Sequence, residues 1–86
     1  MKIWVITYDE VCDFENFPQR PIAFKDESEA RKMMERIKED ILSDYADNLQ
    51  DDDWVFDESA DCLEVYEDGR YSENHFSAVL NEIEVQ

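Results

Sequence analysis

The chain has 86 residues, which is the size of one small domain spanning residues 1–86 and excludes a second domain. Apolar residues make up 43% of the chain and aromatic residues 13%, enough to close a modest core, so wholesale disorder is excluded as well. With 24 acidic and 8 basic residues, the formal net charge is −16. Direct binding of nucleic acid is disfavoured because no general basic surface is available to hold phosphates.

The glycine, proline and cysteine content narrows the class of protein further. A single glycine, Gly69, and two prolines exclude collagen-like chains and glycine-rich phosphate loops. Acids at Asp9 and Glu10 come too early for a signal peptide, and no apolar run approaches the roughly 20 residues that cross a bilayer. Cys12 and Cys62 allow at most one bridge, so we expect two reduced, packing thiols. These features predict a cytoplasmic protein without a membrane partner.

The first part of the chain predicts two strands joined by a loop. Residues 2–8 are β-branched and aromatic, which is typical of a strand with two partly buried faces. Residues 9–21 include Pro18 and Pro21, which favour a loop. Residues 21–24 then suggest a short second strand.

A long amphipathic helix is predicted next. Asp26 precedes the helical pattern and Glu29 follows three positions later, as in a capping box. The spacing of the apolar residues predicts one buried stripe along about 23 residues of helix, ending at residues 51–53. The residues of this stripe are Ala30, Met33, Met34, Ile37, Ile41, Leu42, Tyr45 and Leu49. Residues 54–56 suggest a brief extended segment after the helix.

The last third of the chain predicts a hairpin. Residues 62–66 have the composition of a strand, and the Asp-Gly pair within residues 67–70 suits a tight type I′ turn. The returning strand falls somewhere in residues 70–85, but its alternation slips, so a bulge near Asn81 and a short helix over residues 73–80 both remain open. Together the elements predict an α+β fold, with a single long amphipathic helix packed on a small antiparallel sheet in the order ββαββ.

Charge is distributed unevenly along the chain, and this is the strongest signal in the sequence. Residues 1–38 contain eight acids and seven bases, for a net charge of −1. Residues 39–86 contain sixteen acids and only Arg70 as a base, for a net charge of −15. Within this half, residues 39–69 contain thirteen acids and no base. The imbalance therefore belongs to one half of the chain.

The unpaired acids exceed what solubility requires. Acids early in the helix have bases three or four positions away, such as Arg31 for Glu27 and Lys38 for Glu35, whereas the acids after Lys38 have none. Solubility is served by a net charge of magnitude about 2 to 8. A salt-adapted surface would also spread its acids over the whole chain. We therefore interpret the charge as directed at a partner.

The amount of charge suggests what that partner recognises. A globule of this length is roughly 30 Å across, and about 30 Å of duplex DNA carries about 18 charges. Carboxylates along the solvent side of the helix and in the turn after it predict a rigid polyanionic ridge. Such a ridge suits a groove that is built for phosphates.

The short acidic chain, the helix capped by Asp26 and Glu29, and the acid-only residues 39–69 resemble small phage-encoded DNA-mimic inhibitors, the anti-CRISPR and anti-restriction proteins. The resemblance is one of class, carried by composition and by the helix-to-hairpin region. It implies a noncatalytic inhibitor, active in the host cytoplasm, that occupies the DNA-binding surface of a host nuclease complex.

The predicted partner-binding residues are acids with no base nearby in the sequence. They are Asp40, Asp44, Asp47, Asp51, Asp52, Asp53, Asp57, Glu58, Asp61, Glu64 and Glu67. Their expected partner is a basic, nucleic-acid-binding protein or nuclease complex.

No pattern in the sequence predicts an enzyme, a cofactor or a metal site. His75 is the only histidine, and both cysteines lie among acids, which disfavours a reactive thiolate. A calcium loop that begins at Asp47 fails, because Leu49 occupies a ligand position and Asp52 stands where glycine is needed.

An alternative function is that of an accessory or structural interaction domain whose acids only solvate it. Its partner would bind an aromatic patch made of Trp54, Phe56, Tyr66, Tyr71 and Phe76. Ionic strength separates the two hypotheses, since salt screens binding through acids and has little effect on an aromatic interface.

Overall fold

The architecture is taken from a computed structural model that describes residues 1–12, 15–16, 19–71 and 73–85. In chain order, the elements are β1 (Lys2–Cys12), β2 (Glu15–Asn16), β3 (Ile22–Phe24), α1 (Glu27–Asp44), a short 3₁₀ helix (Asn48–Gln50), β4 (Trp54–Glu58), β5 (Cys62–Glu67) and β6 (His75–Glu84). The predicted α+β class is confirmed. The predicted order ββαββ corresponds to β1, β3, α1, β5 and β6, to which the structure adds the short β2 and a full strand β4.

All six strands found in the described residues belong to one antiparallel sheet. Its order is β2-β1-β6-β5-β4, and β3 pairs with β1 beside β2. The longest pairing joins β1 to β6, from Lys2 opposite Glu84 to Val11 opposite His75. Because side chains alternate along each strand, one face of this sheet packs on α1, and we call the other face the open face.

The core lies between α1 and the sheet. Ile6 on β1 and Val65 on β5 are fully buried there, and α1 contributes Ala30, Met34 and Ile41. The remaining buried apolar residues are Leu63, Phe76, Ala78 and Leu80. The helical spacing of 3.6 residues and the strand spacing of 2 therefore meet in one apolar layer, as the sequence predicts.

The start of α1 follows its predicted cap. Asp26 has an extended backbone, and its Oδ1 accepts a hydrogen bond from the amide of Ser28 at 2.8 Å. This bond satisfies one of the amides that a helix start leaves without a partner. The second half of the capping box is not found among the described residues. Instead, the Glu29 carboxylate lies 3.6 Å from Lys32 Nζ.

The predicted helix length is wrong, because α1 ends at Asp44 after 18 residues. The last turn contains no base, and acids crowd the end, where the helix dipole favours positive charge. The chain then continues through a turn, in which the Leu49 amide donates to the Tyr45 carbonyl at 2.8 Å. Tyr45 and Leu49 still pack against the core, so their apolar spacing extended the predicted helix past its true end.

The predicted loop over residues 9–21 is wrong for residues 9–12 and 15–16, which are in strands, and its residues 13–14 and 17–18 lie outside the described part of the chain. Strand β1 continues to Cys12 because the backbone of β6 pairs with it as far as Val11. Two residues of β2 then pair back onto its end, with Glu15 opposite Cys12. The long-range pairing extends the strand through Asp9 and Glu10, where the local composition favours a loop.

Both options for the returning strand are wrong, since β6 contains neither a bulge near Asn81 nor a helix over residues 73–80. Every pair from β1 to β6 keeps the same register. The alternation slips because the apolar residues change face: Leu80 faces α1, whereas Ile83 and Val85 lie outside the core, 42% and 37% exposed. Asn81 stays in the ladder on the open face, where its Nδ2 donates to the Val5 carbonyl at 3.2 Å.

The predicted turn at residues 67–70 is present, but it does not close a two-residue hairpin. The Arg70 amide donates to the Glu67 carbonyl at 2.9 Å, and Gly69 has a φ of 79°, which suits glycine. The ladder resumes only where the Glu67 amide donates to the Asn74 carbonyl at 3.2 Å. The connection is therefore longer than a type I′ hairpin allows.

Candidate functional site

Acidic side chains gather at the end of the molecule where α1 terminates. The turn after the 3₁₀ helix meets the turn after β5 here, since the Asp68 amide donates to the Asp53 carbonyl at 2.6 Å. Trp54 also pairs with Glu67 across β4 and β5. We call this surface the acidic end, and its residues are Asp44, Asp47, Asp51, Asp52, Asp53, Glu67 and Asp68.

The backbone fixes the three consecutive acids of the acidic end. Asp51 Oδ1 accepts from the Asp53 amide at 3.0 Å, and the Asp51 carbonyl accepts from the Trp54 amide at 3.1 Å. Aspartate favours such turns because its short side chain bonds to the backbone two residues on. Asp51, Asp52 and Asp53 are all exposed. The turn therefore presents their charges from a defined position.

No carboxylate of the acidic end forms an ion pair within the described part of the chain. Arg70, the base that follows this surface in the sequence, also has no ion pair among those residues. The acidic end is therefore a concentrated negative surface.

Other acids in residues 39–86 do form ion pairs. For these acids, the prediction that they have no basic partner is wrong. Glu58 lies 2.7 Å from Lys38 Nζ, and Asp61 lies 3.2 Å from Arg31. The hairpin of β4 and β5 brings both acids beside α1, whose bases are more than 15 residues away in sequence. The hydrogen bond to Glu58 raises the pKa of Lys38, which bonds to this acid rather than to Glu35 as predicted.

Arg31 links two elements through its guanidinium. It bonds to Glu27 at 3.0 Å, as the helical spacing predicts, and to Asp61 at 3.2 Å. It also donates to the Ala60 carbonyl at 3.2 Å. The hydrogen bonds to Glu27 and then to Asp61 raise the pKa of Arg31.

The remaining predicted site residues lie away from the acidic end. Asp57 and Glu64 face each other directly across β4 and β5, on the open face. Asp40 is exposed on α1, one turn before the acidic end. The single predicted ridge is therefore divided among the acidic end, the open face and the ion-paired flank of α1. Asp68 is not among the predicted residues, although it lies within the acid-only residues 39–69 and at the acidic end.

The length of the molecule also changes the comparison with DNA. The molecule measures 44 × 21 × 17 Å because β1 and β6 are long, instead of the roughly 30 Å expected for a sphere. Sixteen net charges over 44 Å give one per about 2.8 Å, against one per about 1.7 Å in duplex DNA. The average charge density is therefore below that of duplex DNA.

The predicted aromatic patch is not one surface. Phe76 is buried in the core, and Trp54 and Phe56 pack against that core on the α1 side. Tyr66 and Tyr71 lie together elsewhere, with ring centroids 5.4 Å apart. The prediction that all five rings form a common patch is wrong.

His75 anchors Tyr71 near the open face. The two rings stack with centroids 4.2 Å apart, and His75 Nδ1 lies 2.6 Å from the Tyr71 carbonyl oxygen. His75 Nε2 lies 3.2 Å from Asp9 Oδ2. With both ring nitrogens in contact and 8% of its surface exposed, His75 has a structural role.

The cysteines are unbridged, as expected, but the expected packing is wrong for Cys12, which is exposed, whereas Cys62 is half-buried. Cys12 and Cys62 are both free. Burial raises the pKa of the Cys62 thiol, and its hydrogen bond to Glu64 raises it further. Both effects disfavour a reactive thiolate. Across residues 1–12, 15–16, 19–71 and 73–85, no group of three or more His, Cys, Asp or Glu side chains is placed to hold a metal ion.

Tyr45 connects the acidic end to β1. Its hydroxyl donates to Glu10 Oε2 at 2.8 Å, and its ring lies 5.7 Å from that of Trp54. Burial raises the pKa of Tyr45 well above its ordinary value, and the hydrogen bond and charge of Glu10 add to this shift. The neutral phenol is therefore favoured in the folded state.

Stability is expected to fall above pH 10, partly through Tyr45. Below about pH 10 the phenol is protonated in both the folded and the unfolded state, and its full contribution to the free energy of unfolding is present. Above it, the unfolded chain loses this proton while the folded chain retains it, so unfolding becomes more favourable as the pH rises. Urea unfolding of wild type and Tyr45→Phe at pH 8 and pH 11 tests this, and the variant should lose less stability between the two. Equal losses would contradict the assignment.

Salt is expected to stabilise the protein. The carboxylates of the acidic end repel each other more in the folded state than in the expanded chain. Screening of each kcal/mol of repulsion raises the melting temperature by about 4 to 8 °C in a domain of this size. Thermal unfolding in 20 and in 300 mM NaCl checks the rise. Asp51, Asp52 and Asp53 changed together to asparagine should reduce it, and a flat wild-type response would show that the acids do not repel.

The chain matches no model of a known protein family, and no curated protein or solved structure is significantly similar to it. Among the described residues, no helix is both long and apolar enough to cross a membrane.

Proposed function

We propose that this protein is a noncatalytic acidic inhibitor that mimics DNA. It binds the nucleic-acid-binding surface of a host protein, such as a CRISPR or restriction nuclease complex, in the host cytoplasm. The observation that carries the proposal is the acidic end, whose carboxylates have no ion pair within the described residues. Bases from the first half of the chain pair with Glu58 and Asp61 instead.

The physical basis of the proposal is preorganised negative charge. A surface that binds DNA places cations at the spacing of phosphates, and fixed carboxylates attract those cations without a large ordering cost. The turn that contains Asp51, Asp52 and Asp53 is held by backbone hydrogen bonds, so little order needs to be gained on binding. Electrostatic steering then speeds association and makes it sensitive to salt.

The inhibitor class rests on the resemblance in size, charge and acid-only sequence. A net charge of −16 on 86 residues disfavours direct contact with nucleic acid, so the partner is a protein. Identification of the captured partner tests whether it is a nuclease complex.

The experiment is competition with DNA. Immobilised protein captures partners from host lysate at low salt, and the bound fraction is then treated either with duplex DNA or with polyglutamate at equal charge concentration. A DNA mimic predicts release by DNA at concentrations where polyglutamate is ineffective, and release by high salt. A captured protein that binds DNA and this chain at the same time would contradict mimicry.

Two observations support the alternative function. Tyr66 and Tyr71 form an aromatic pair, and Ile83 and Val85 are exposed apolar side chains. An accessory domain would use such residues, and its binding would be nearly indifferent to salt. Capture that persists unchanged from low to high salt would favour this function over mimicry.

A further inference from the structure

We infer that the acidic end contains a receptor pocket for an arginine side chain of the partner, an inference that rests on the proposed function. A cavity of about 350 Å³ opens between the end of α1 and the strands β4 and β5. The end of β1 also borders it, and the lining residues are Val11, Cys12, Tyr45, Asn48, Trp54, Glu67 and Asn74. The cavity thus combines aromatic rings, side-chain amides and a carboxylate.

The aromatic wall fits a planar cation. The rings of Tyr45 and Trp54 lie 5.7 Å apart at an angle of 38°, and both pack against the core. This packing holds them in place before any ligand arrives. A guanidinium is attracted to aromatic faces by cation–π interaction and stacking.

The carboxylate of the wall supplies an acceptor. Glu67 is half-buried, and its Oε1 accepts from Asn74 Nδ2 at 3.2 Å. A carboxylate has about four acceptor sites, so acceptor capacity remains for a second donor. Guanidinium and carboxylate form charge-assisted hydrogen bonds, which are stronger than neutral ones.

Acids are next in sequence to the residues that line the cavity. Each of four wall residues has an exposed acid beside it in the chain: Asp44 precedes Tyr45, Asp47 precedes Asn48, Asp53 precedes Trp54, and Asp68 follows Glu67. In addition, Glu10 Oε2 accepts a hydrogen bond from the Tyr45 hydroxyl at 2.8 Å. No base is part of the wall among the described residues. Neutral and anionic side chains are therefore disfavoured.

Arginine fits the wall better than lysine does. The ammonium of lysine is compact and strongly hydrated, whereas guanidinium is planar, weakly hydrated and carries five donors. The wall contains two aromatic rings and several oxygen acceptors, which match these properties. An arginine that contacts DNA phosphate in the free partner would thus be captured by the inhibitor.

The test uses nuclear magnetic resonance on the whole protein, with capped single amino acids as ligands. N-acetylarginine amide is titrated against the indole N–H signal of Trp54, with N-acetylcitrulline amide as the neutral isostere and N-acetyllysine amide as the second cation. We expect a saturable shift with arginine, at least threefold weaker binding of lysine, and no saturation with citrulline. Glu67→Gln should weaken arginine binding at least threefold, whereas Asp57→Asn, which removes a charge on the open face, should not.

Equal binding of citrulline, equal binding of lysine, or an unchanged affinity in Glu67→Gln would each overturn the pocket. The comparison of probes on the wild type needs no variant, so a poorly folded Glu67→Gln leaves the test decisive. The competition experiment with DNA tests the proposed function independently of the pocket. Release of the partner by DNA without saturable arginine binding would reject the pocket and retain mimicry, and the opposite pair of results would reject mimicry alone.

Discussion

Neutralising Asp51, Asp52 and Asp53 together to asparagine is expected to weaken the binding of a basic partner by up to about 3 kcal/mol, or roughly 150-fold. Each charge contributes up to about 1 kcal/mol at the rim of an interface. Folding should be unharmed, because all three side chains are exposed and asparagine retains the Oδ1 that accepts from the residue 53 amide at 3.0 Å. Stability should hold or rise as repulsion is relieved. Titration calorimetry with the captured partner and urea unfolding measure the two effects.

The matched control removes three charges elsewhere. Glu35, Glu82 and Glu84 are exposed acids outside the acidic end, and Glu82 and Glu84 pair with Lys2 and the N-terminal amine. Their joint change to glutamine gives the same net charge as the test variant. Equal loss of affinity in both triple variants would mean that only total charge matters, and the acidic end would lose its special role.

Ile6→Ala is expected to lower the free energy of unfolding by about 3 to 4 kcal/mol. Ile6 is fully buried between α1 and the sheet, so alanine leaves a cavity as well as losing apolar contact. Domains of this length have about 4 to 13 kcal/mol of stability in total. The substitution should therefore remove a large fraction of it, as measured by urea unfolding at 300 mM NaCl.

Ile83→Ala is the control for the same chemical change. Ile83 lies on β6, the strand that pairs with β1, and it is 42% exposed. Ile83→Ala should therefore lower the free energy of unfolding by less than about 1 kcal/mol. If Ile6→Ala does not fold, Ile6→Val is the milder substitution, and it should lower the free energy of unfolding by about 1 kcal/mol. Similar losses for the two isoleucine-to-alanine variants would contradict the placement of the core on one face of the sheet.

The two triple variants and the two isoleucine variants separate recognition from folding. If the acidic end serves a partner, its charges cost stability and are retained for binding. Stability and affinity should then change in opposite directions when these charges are removed. Core variants should lower stability, and they should leave affinity unchanged wherever the protein remains folded.

Local chemistry in the sequence determined where several elements occur. Asp26 marks the start of α1, since a side chain that accepts from the helix amides acts within a few residues. The apolar spacing through Ile41 identified the buried stripe of the helix, and β-branched composition identified β1 and β5. Each of these signals depends on neighbours that are close in the chain. The sequence also located the acid-only residues 39–69.

Only the tertiary structure decided which acids are compensated. Glu58 and Asp61 have no base nearby in sequence, yet Lys38 and Arg31 reach them across the packed hairpin. The acidic end is left without such a partner in the described chain because α1 ends beside it with no base in its last turn. Coulomb interaction depends on distance in space, and the folding of the chain sets that distance.

Long-range pairing likewise decided the extent and the faces of the strands. β6 extends β1 through Asp9 and Glu10, where local propensity favours a loop, and places Ile83 outside the core despite its apolar side chain. Strand propensity is weak beside the backbone hydrogen bonds and packing that a neighbouring strand provides. Local sequence patterns and composition therefore sufficed for the fold class and the acidic character, whereas the division of the acids into paired and unpaired sets required the folded chain.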